Sequence, residues 1–269
     1  MYEEPYRWVE AVGNRRQYLD DQFKEGAPLV GVSHESGIVI MTMSKGTPKL
    51  YEIYDRLALG GIGHPADLEK LRFNLLEMAH VEGFNRSPSD VTGSRLVKYG
   101  IAPVIKQAFE EVYKAPFIVK ILLAELSQRP GKDGFLTINY DGTFDEKSRY
   151  AVLAATSAVE RKMSEYLQQQ SIASLKDAIE AAIRTWAIGD RAQRQTPEDE
   201  EGYDEAKTGA DQQVTDSATL YAHLRRCMPE KSIECAVLDR DAQGPSKYRV
   251  LGTDELRSML GKDLSAVLS

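Results

Sequence analysis

Two kinds of apolar pattern alternate along the chain. Short, nearly continuous apolar runs suit strands covered on both faces, and longer stretches with apolar residues every three or four positions suit amphipathic helices. Residues 4–24 form a largely polar helical stretch. Trp8, Val9, Val12, Tyr18 and Leu19 fall roughly on one side of it, and Arg15, Arg16, Asp20, Asp21 and Lys24 make a solvated or partner-facing surface. Residues 29–32 and 37–43 read as a strand pair across the polar turn Ser33 to Ser36. A third apolar segment, 57–63, is rich in small residues and predicts close approach of another layer.

A helix is predicted over 67–79, where Leu68, Leu71, Leu75 and Met78 recur on one face. Ser87-Pro88-Ser89-Asp90 predicts the start of the next, with a capping serine, proline in the first turn and an acid three residues on. That helix should bury Leu96, Val97, Ile101, Val104, Ile105 and Ala108, with Pro103 as a source of a kink. Strands return at 117–126 and 135–140, closed by the turn Asp141-Gly142, and again at 150–155. Two helices follow, opened by the capping pairs Ser157/Glu160 and Ser174/Asp177. The second carries Leu175, Ile179, Ile183 and Trp186 on one face.

Residues 189–217 hold Glu198, Asp199, Glu200, Glu201, Asp204, Glu205, Asp211 and Asp216 with almost no apolar residue, and read as a mobile, solvated acidic loop. Strands at 233–238 and 248–251 and a short helix from Thr253 close the chain. Runs of strands alternating with runs of helices predict separate layers rather than βαβ crossovers. The expected class is α+β: two sheets face to face, each covered by helices, in one domain over residues 1–269.

Composition narrows the function. The net charge of -7 argues against a nucleic-acid partner. The N-terminal Met1-Tyr2-Glu3-Glu4-Pro5 lacks the apolar stretch of a signal peptide. The longest apolar runs, near 38–43 and 121–126, are too short to span a bilayer, so no membrane partner and a cytoplasmic location are expected. Cys227 and Cys235 form no CxxC pair and read as reduced thiols, and His34, His80 and His223 are scattered as surface or satisfied histidines. No metal and no cofactor are expected.

Four segments in order carry a resemblance. They are Lys49-Leu50-Tyr51-Glu52-Ile53-Tyr54-Asp55-Arg56 with the small-residue strand to Gly63; Ser89-Asp90-Val91-Thr92-Gly93 before a helix; Leu136 to Phe144 with its Gly142-Thr143 turn; and Cys235-Ala236-Val237-Leu238-Asp239 followed by Tyr248-Arg249-Val250-Leu251. Together they resemble proteasome α subunits, most closely those of actinobacterial type. The resemblance implies the four-layer αββα sandwich of N-terminal-nucleophile hydrolases with an extra N-terminal helix. Active members expose a threonine at the start of the first strand, whose own amine is the base. Aligned on Val30-Gly31, that position is Ala27, and the family's active-site carboxylate falls at Met43. Neither can do the chemistry, and Thr42 and Thr47 read as ordinary strand and turn residues. The resemblance therefore implies a non-catalytic subunit of a threonine-type endopeptidase complex.

The same resemblance implies partners and sites. Other α subunits would complete a seven-membered ring, stacked on proteasome β subunits and admitting unfolded protein substrates. Lys49 and Gly63 match the pocket that takes the C-terminal carboxylate of a ring ATPase or other activator. His64, followed by Pro65, stands where the family often has an apolar residue. Residues 1–25 supply the gate segment and first helix, the gate including Tyr2, Pro5, Tyr6 and Arg7. Of the archaeal-type Tyr-Asp-Arg gate motif the chain has only Tyr6-Arg7. The rival expectations are an amidohydrolase of another family on the same fold, or a stand-alone ring-forming scaffold.

Overall fold

The structure, a computed structural model, describes residues 4–111, 113–194 and 217–266, except for the side chains of residues 4–6, 262 and 263. Strand β2 (Gly37–Ser44) is buried at every position. Ile38 and Ile40 enter one apolar layer and Val39, Met41 and Met43 another, as the two-residue period of a strand requires. It pairs antiparallel with β1 (Leu29–His34) on one side and β9 (Ser232–Asp239) on the other. With β8 (Tyr150–Leu153) and β10 (Tyr248–Val250) these strands make a sheet of order β10-β9-β2-β1-β8.

The second sheet is an antiparallel meander of β3 (Leu50–Tyr54), β4 (Leu57–Gly63), β5 (Val119–Glu125), β6 (Gly134–Ile138) and β7 (Phe144–Ser148). The sheets face each other across Leu29, Ile38, Ile62, Leu122, Phe135 and Leu238. At Gly31 a Cβ would lie 2.7 Å from the Phe135 ring, so only glycine lets the sheets approach there.

Helices cover both outer faces. On the β3–β7 sheet lie α2 (Pro65–Asn85) and a continuous rod of α3 (Gly93–Leu96), a π-helical turn (Val97–Ile101) and α4 (Ala102–Glu110). On the other sheet lie α5 (Ser157–Gln168), α6 (Leu175–Arg194), α7 (Ser217–Cys227) and α8 (Thr253–Met259), with the short α9 (Lys262–Ser265) beyond. The first helix, α1 (Glu4–Phe23), belongs to neither cover. Its Leu19 and Phe23 are fully buried in the layer between the sheets, and Phe23 stacks on Tyr140. Trp8, Val9 and Tyr18, grouped with Leu19 roughly on one side from the sequence, are exposed. Among the described residues no helix is long and apolar enough to cross a membrane.

Several expectations are corrected. Ser87 caps only a single 3₁₀ turn, Pro88–Asp90. The helix begins at Gly93, where Thr92 accepts from the Arg95 amide and the Glu125 carboxylate from the Gly93 amide. Pro103 does not break the rod. It has no N–H for the carbonyl four residues back, and the wide π turn just before it absorbs the misfit. Buried positions then run 97, 101, 105 and 109, and Val104 turns to solvent. Strand β7 was not expected, because its FDEKS sequence is that of a polar sheet edge. The acidic loop was placed too early: Gly189 to Arg194 continue α6, and residues 195–216 lie outside the described residues. Helix α7 follows where no element was expected.

Candidate functional site

The start of β1, the end of β2, the start of β3 and the end of β4 meet at one end of the sandwich. The Thr42 hydroxyl donates to the Pro28 carbonyl (2.7 Å), and the Gly61 amide to the Lys49 carbonyl (3.1 Å). Four of the site residues read from the sequence gather here: Ala27, Met43, Lys49 and Gly63.

Ala27 is buried and Met43 fully so, both within the apolar layer under α5 and α6. Residue 27 offers no hydroxyl, amine or thiol, and its backbone runs on into α1. The carbonyl of Gly26 accepts from Gln193 Nε2 (2.7 Å), while Gln193 Oε1 accepts from the Ala155 amide (3.0 Å). The end of α6 thus pins the junction between α1 and β1.

Lys49 is half-buried just before β3. Its amide donates to Glu234 Oε2 (2.8 Å), but its ammonium makes no hydrogen bond or ion pair among the described residues. Burial lowers the Lys49 pKa. The nearby Glu234 charge works the other way, and Lys231 adds to the lowering. An ammonium so placed favours an incoming anion. Gly63 is held by the backbone: its φ is +128°, and a Cβ would lie 2.0 Å from the Ile118 carbonyl oxygen. His64 caps α2, its Nδ1 accepting from the Ala66 amide (3.3 Å), and is exposed. Arg7 is exposed on α1. Pro5 and Tyr6 form the first turn of α1, their side chains outside the described set, and Tyr2 lies outside the described residues.

Large apolar side chains also face outward. Phe73, Val81 and Phe84 on α2 and Tyr99 on the π turn are exposed, as are Trp8, Val9 and Tyr18 on α1. They lie on three elements, α1, α2 and the π turn, and large exposed apolar side chains are enriched in surfaces that pack against other chains.

One buried polar cluster was not anticipated. Asp190 of α6 is 3 % exposed, yet it accepts from His223 Nε2 (2.9 Å), Arg194 Nε (2.8 Å) and Lys231 Nζ (2.7 Å), with Cys227 Sγ at 3.5 Å. Burial alone would raise the Asp190 pKa, but the bonds from His223, Arg194 and Lys231 hold it well below the carboxylate range. Lys231 also lies 4.9 Å from the Trp186 ring centroid. The sequence reading found no ligand spacing around the cysteines or histidines. The signal was the four-residue step from His223 to Cys227, which places both on one face of a helix.

Two antiparallel sheets between two helical covers, with the leading residue of β1 at the open end, define the αββα sandwich of N-terminal-nucleophile hydrolases. Residues 23–196 match the family model described as "Proteasome subunit". The chain belongs to the proteasome subunit family, as an α-type member. It is 24 % identical over 253 residues to a proteasome subunit alpha of Nocardioides sp. (strain ATCC BAA-499 / JS614), covering 93 % of this chain and 85 % of that one. To the proteasome subunit alpha of Arthrobacter sp. (strain FB24) it is 24 % identical over 259 residues, covering 93 % and 94 %. To that of Acidimicrobium ferrooxidans (strain DSM 10331) it is 32 % identical over 142 residues, 52 % of this chain and 60 % of the relative.

Proposed function

We propose that this chain is a non-catalytic subunit of the seven-membered outer ring of a 20S proteasome core particle, where it gates substrate entry and docks an activator for protein degradation. The observation that carries the reading is the open end of the sandwich. A catalytic subunit needs a freed nucleophile there. Here the position is a buried alanine, continuous with a helix whose Leu19 and Phe23 fill the layer between the sheets. Cleavage before Ala27 would free only a methyl side chain.

The outward apolar residues of α1 and α2 support assembly with neighbouring α subunits and with a β ring. Lys49 supports activator docking, because its half-buried ammonium has no hydrogen-bond partner among the described residues and suits the terminal carboxylate of a peptide tail. A charged hydrogen bond of that kind contributes about 1.5–3 kcal/mol, a roughly tenfold or larger effect per tail, and several tails on one ring multiply it.

The test is the particle formed by co-expressing this chain with its β partner. The chain alone should not hydrolyse fluorogenic peptides. The particle with Lys49→Ala should stay assembled by native electrophoresis, hydrolyse small peptides normally and lose activator-dependent protein degradation. Peptidase activity of the isolated chain, or unchanged activator affinity in the intact variant particle, would overturn the corresponding half of the proposal.

A further inference from the structure

We propose that Asp190, His223 and Cys227 form a site for a divalent transition metal of the zinc class, which staples α7 onto α6. The three donor atoms already form the right triangle. Tetrahedral zinc with bonds of about 2.3 Å to sulfur and about 2.0–2.1 Å to nitrogen and oxygen sets sulfur about 3.5–3.6 Å from the other two donors, and nitrogen about 3.3 Å from oxygen. Cys227 Sγ lies 3.6 Å from His223 Nε2 and 3.5 Å from Asp190 Oδ2. The His223 to Asp190 distance is 2.9 Å, drawn in by their hydrogen bond, and has to open by only a few tenths of an ångström.

The surroundings fit an ion as well as the triangle does. All three residues are buried, at 3 %, 5 % and 8 % exposure. His223 Nδ1 is buried and has no partner among the described residues, so the tautomer that binds through Nε2 leaves an N–H without an acceptor, a cost that the metal bonds have to exceed. Lys231 takes Asp190 Oδ1, which leaves Oδ2 directed at the histidine and the thiol. A carboxylate oxygen has two lone pairs, so a metal can replace the His223 N–H on Oδ2 while Arg194 keeps the other. Lys231 and Arg194 then hold the ligating carboxylate in place from outside.

Thiolate, imidazole and carboxylate together select zinc, cobalt or nickel over magnesium or calcium, which need oxygen donors. On binding, the thiol loses its proton to solvent, and the neutral imidazole keeps one proton, now on Nδ1. A cleft of about 440 Å³ reaches His223 and Cys227, and an ion enters it past the cations Arg191, Arg194, Arg226 and Lys231 and the carboxylate Glu230. The catalytic-triad alternative fails on geometry: the aspartate and the thiol both meet the same imidazole nitrogen, Nε2.

The full chain, stripped with chelator and titrated with cobalt(II) chloride, tests this. The parent should bind one cobalt with tetrahedral d–d bands and a thiolate charge-transfer band, and zinc chloride should displace it. Cys227→Ser should abolish the charge-transfer band, and His223→Gln should weaken binding at least tenfold. Cys235→Ala, which removes the other thiol, should change neither. The parent spectrum needs no variant, so a variant that misfolds by circular dichroism leaves the test intact. Absence of the thiolate band at saturating cobalt in the parent, its persistence in Cys227→Ser, or its loss in Cys235→Ala would overturn the site.

Discussion

Arg15 of α1 makes four hydrogen bonds to the body of the protein, and its removal should loosen that helix. Its guanidinium donates to the carbonyls of Ala108 (3.1 Å), Phe109 (2.8 Å), Glu111 (2.7 Å) and Lys114 (2.6 Å). The first two lie in the last turn of α4, where carbonyls have no donor within the helix and a cation meets the negative end of the dipole. A charged hydrogen bond contributes about 1.5–3 kcal/mol. These four share one guanidinium, and the bond to Lys114 is exposed, so they do not add. About 2–4 kcal/mol of α1 docking is a reasonable total, equivalent to roughly 30- to 1,000-fold in the opening equilibrium. Hydrogen exchange read by mass spectrometry measures this directly. In Arg15→Ala the amides of Leu19 to Phe23 should exchange faster by that factor, while those of β2 hold their rates. Arg15→Lys should fall between, since an ammonium cannot reproduce the planar fork. A change of less than about threefold, under ~0.7 kcal/mol, would refute the reasoning and leave α1 held by its apolar contacts and by the Asp20–Tyr140 and Arg16–Asp141 contacts.

Three further outcomes follow from the geometry. Phe23→Ala empties a fully buried ring site stacked on Tyr140 and should cost about 3–5 kcal/mol in urea denaturation; a loss under about 1 kcal/mol would mean the site collapses or was never filled. Gly63→Ala forces a side chain into a φ of +128° and against the Ile118 carbonyl, so soluble yield and Tm should fall sharply; a Tm within a few degrees of the parent would contradict the close approach. Glu125 is pushed to a raised pKa by burial, against the opposing Gly93 amide and Arg56. Its contribution is complete below the unfolded value of about 4.3 and declines as pH rises through the raised folded value. Glu125→Gln keeps the acceptor for Gly93 and never ionises. It should melt higher than the parent at pH 8 and equal it near pH 4, and a parent that melts higher at pH 8 would reverse the sign.

The sheets were legible because full burial leaves a plain trace. Residues 37–43 of β2 are apolar almost without interruption, as a strand covered on both faces requires, and β4 and β5 are buried nearly as fully. Ser174 and Asp177 form the capping box that their spacing implied, with both reciprocal bonds in place. At the neighbouring start the cap is Thr156, and Glu160 reaches instead to the Ala154 amide, a choice set by the sheet and not by local sequence. Ala27, Met43, Lys49 and Gly63 were named from the family resemblance, and they lie beside the starts of β1 and β3 and the ends of β2 and β4. Asp190, His223 and Cys227 were missed. Their relation exists only once α6 runs past Gly189 and residues 217–227 become a helix, and an adjacent acidic tract hid both.

The strand order of the first sheet imposes a timetable on synthesis. β2 has β1 on one side, but its other neighbour is β9, and 37 residues separate the end of α6 from the start of β9. At ~5–20 residues per second a ribosome needs about 2–7 s to cross that interval. During that time β2 presents a row of unpaired N–H and C=O groups along a mostly apolar strand, the kind of edge on which strands of other nascent chains add. Closing the edge takes the last strands made, so a truncation anywhere before residue 232 should yield an aggregating fragment and not a smaller folded one.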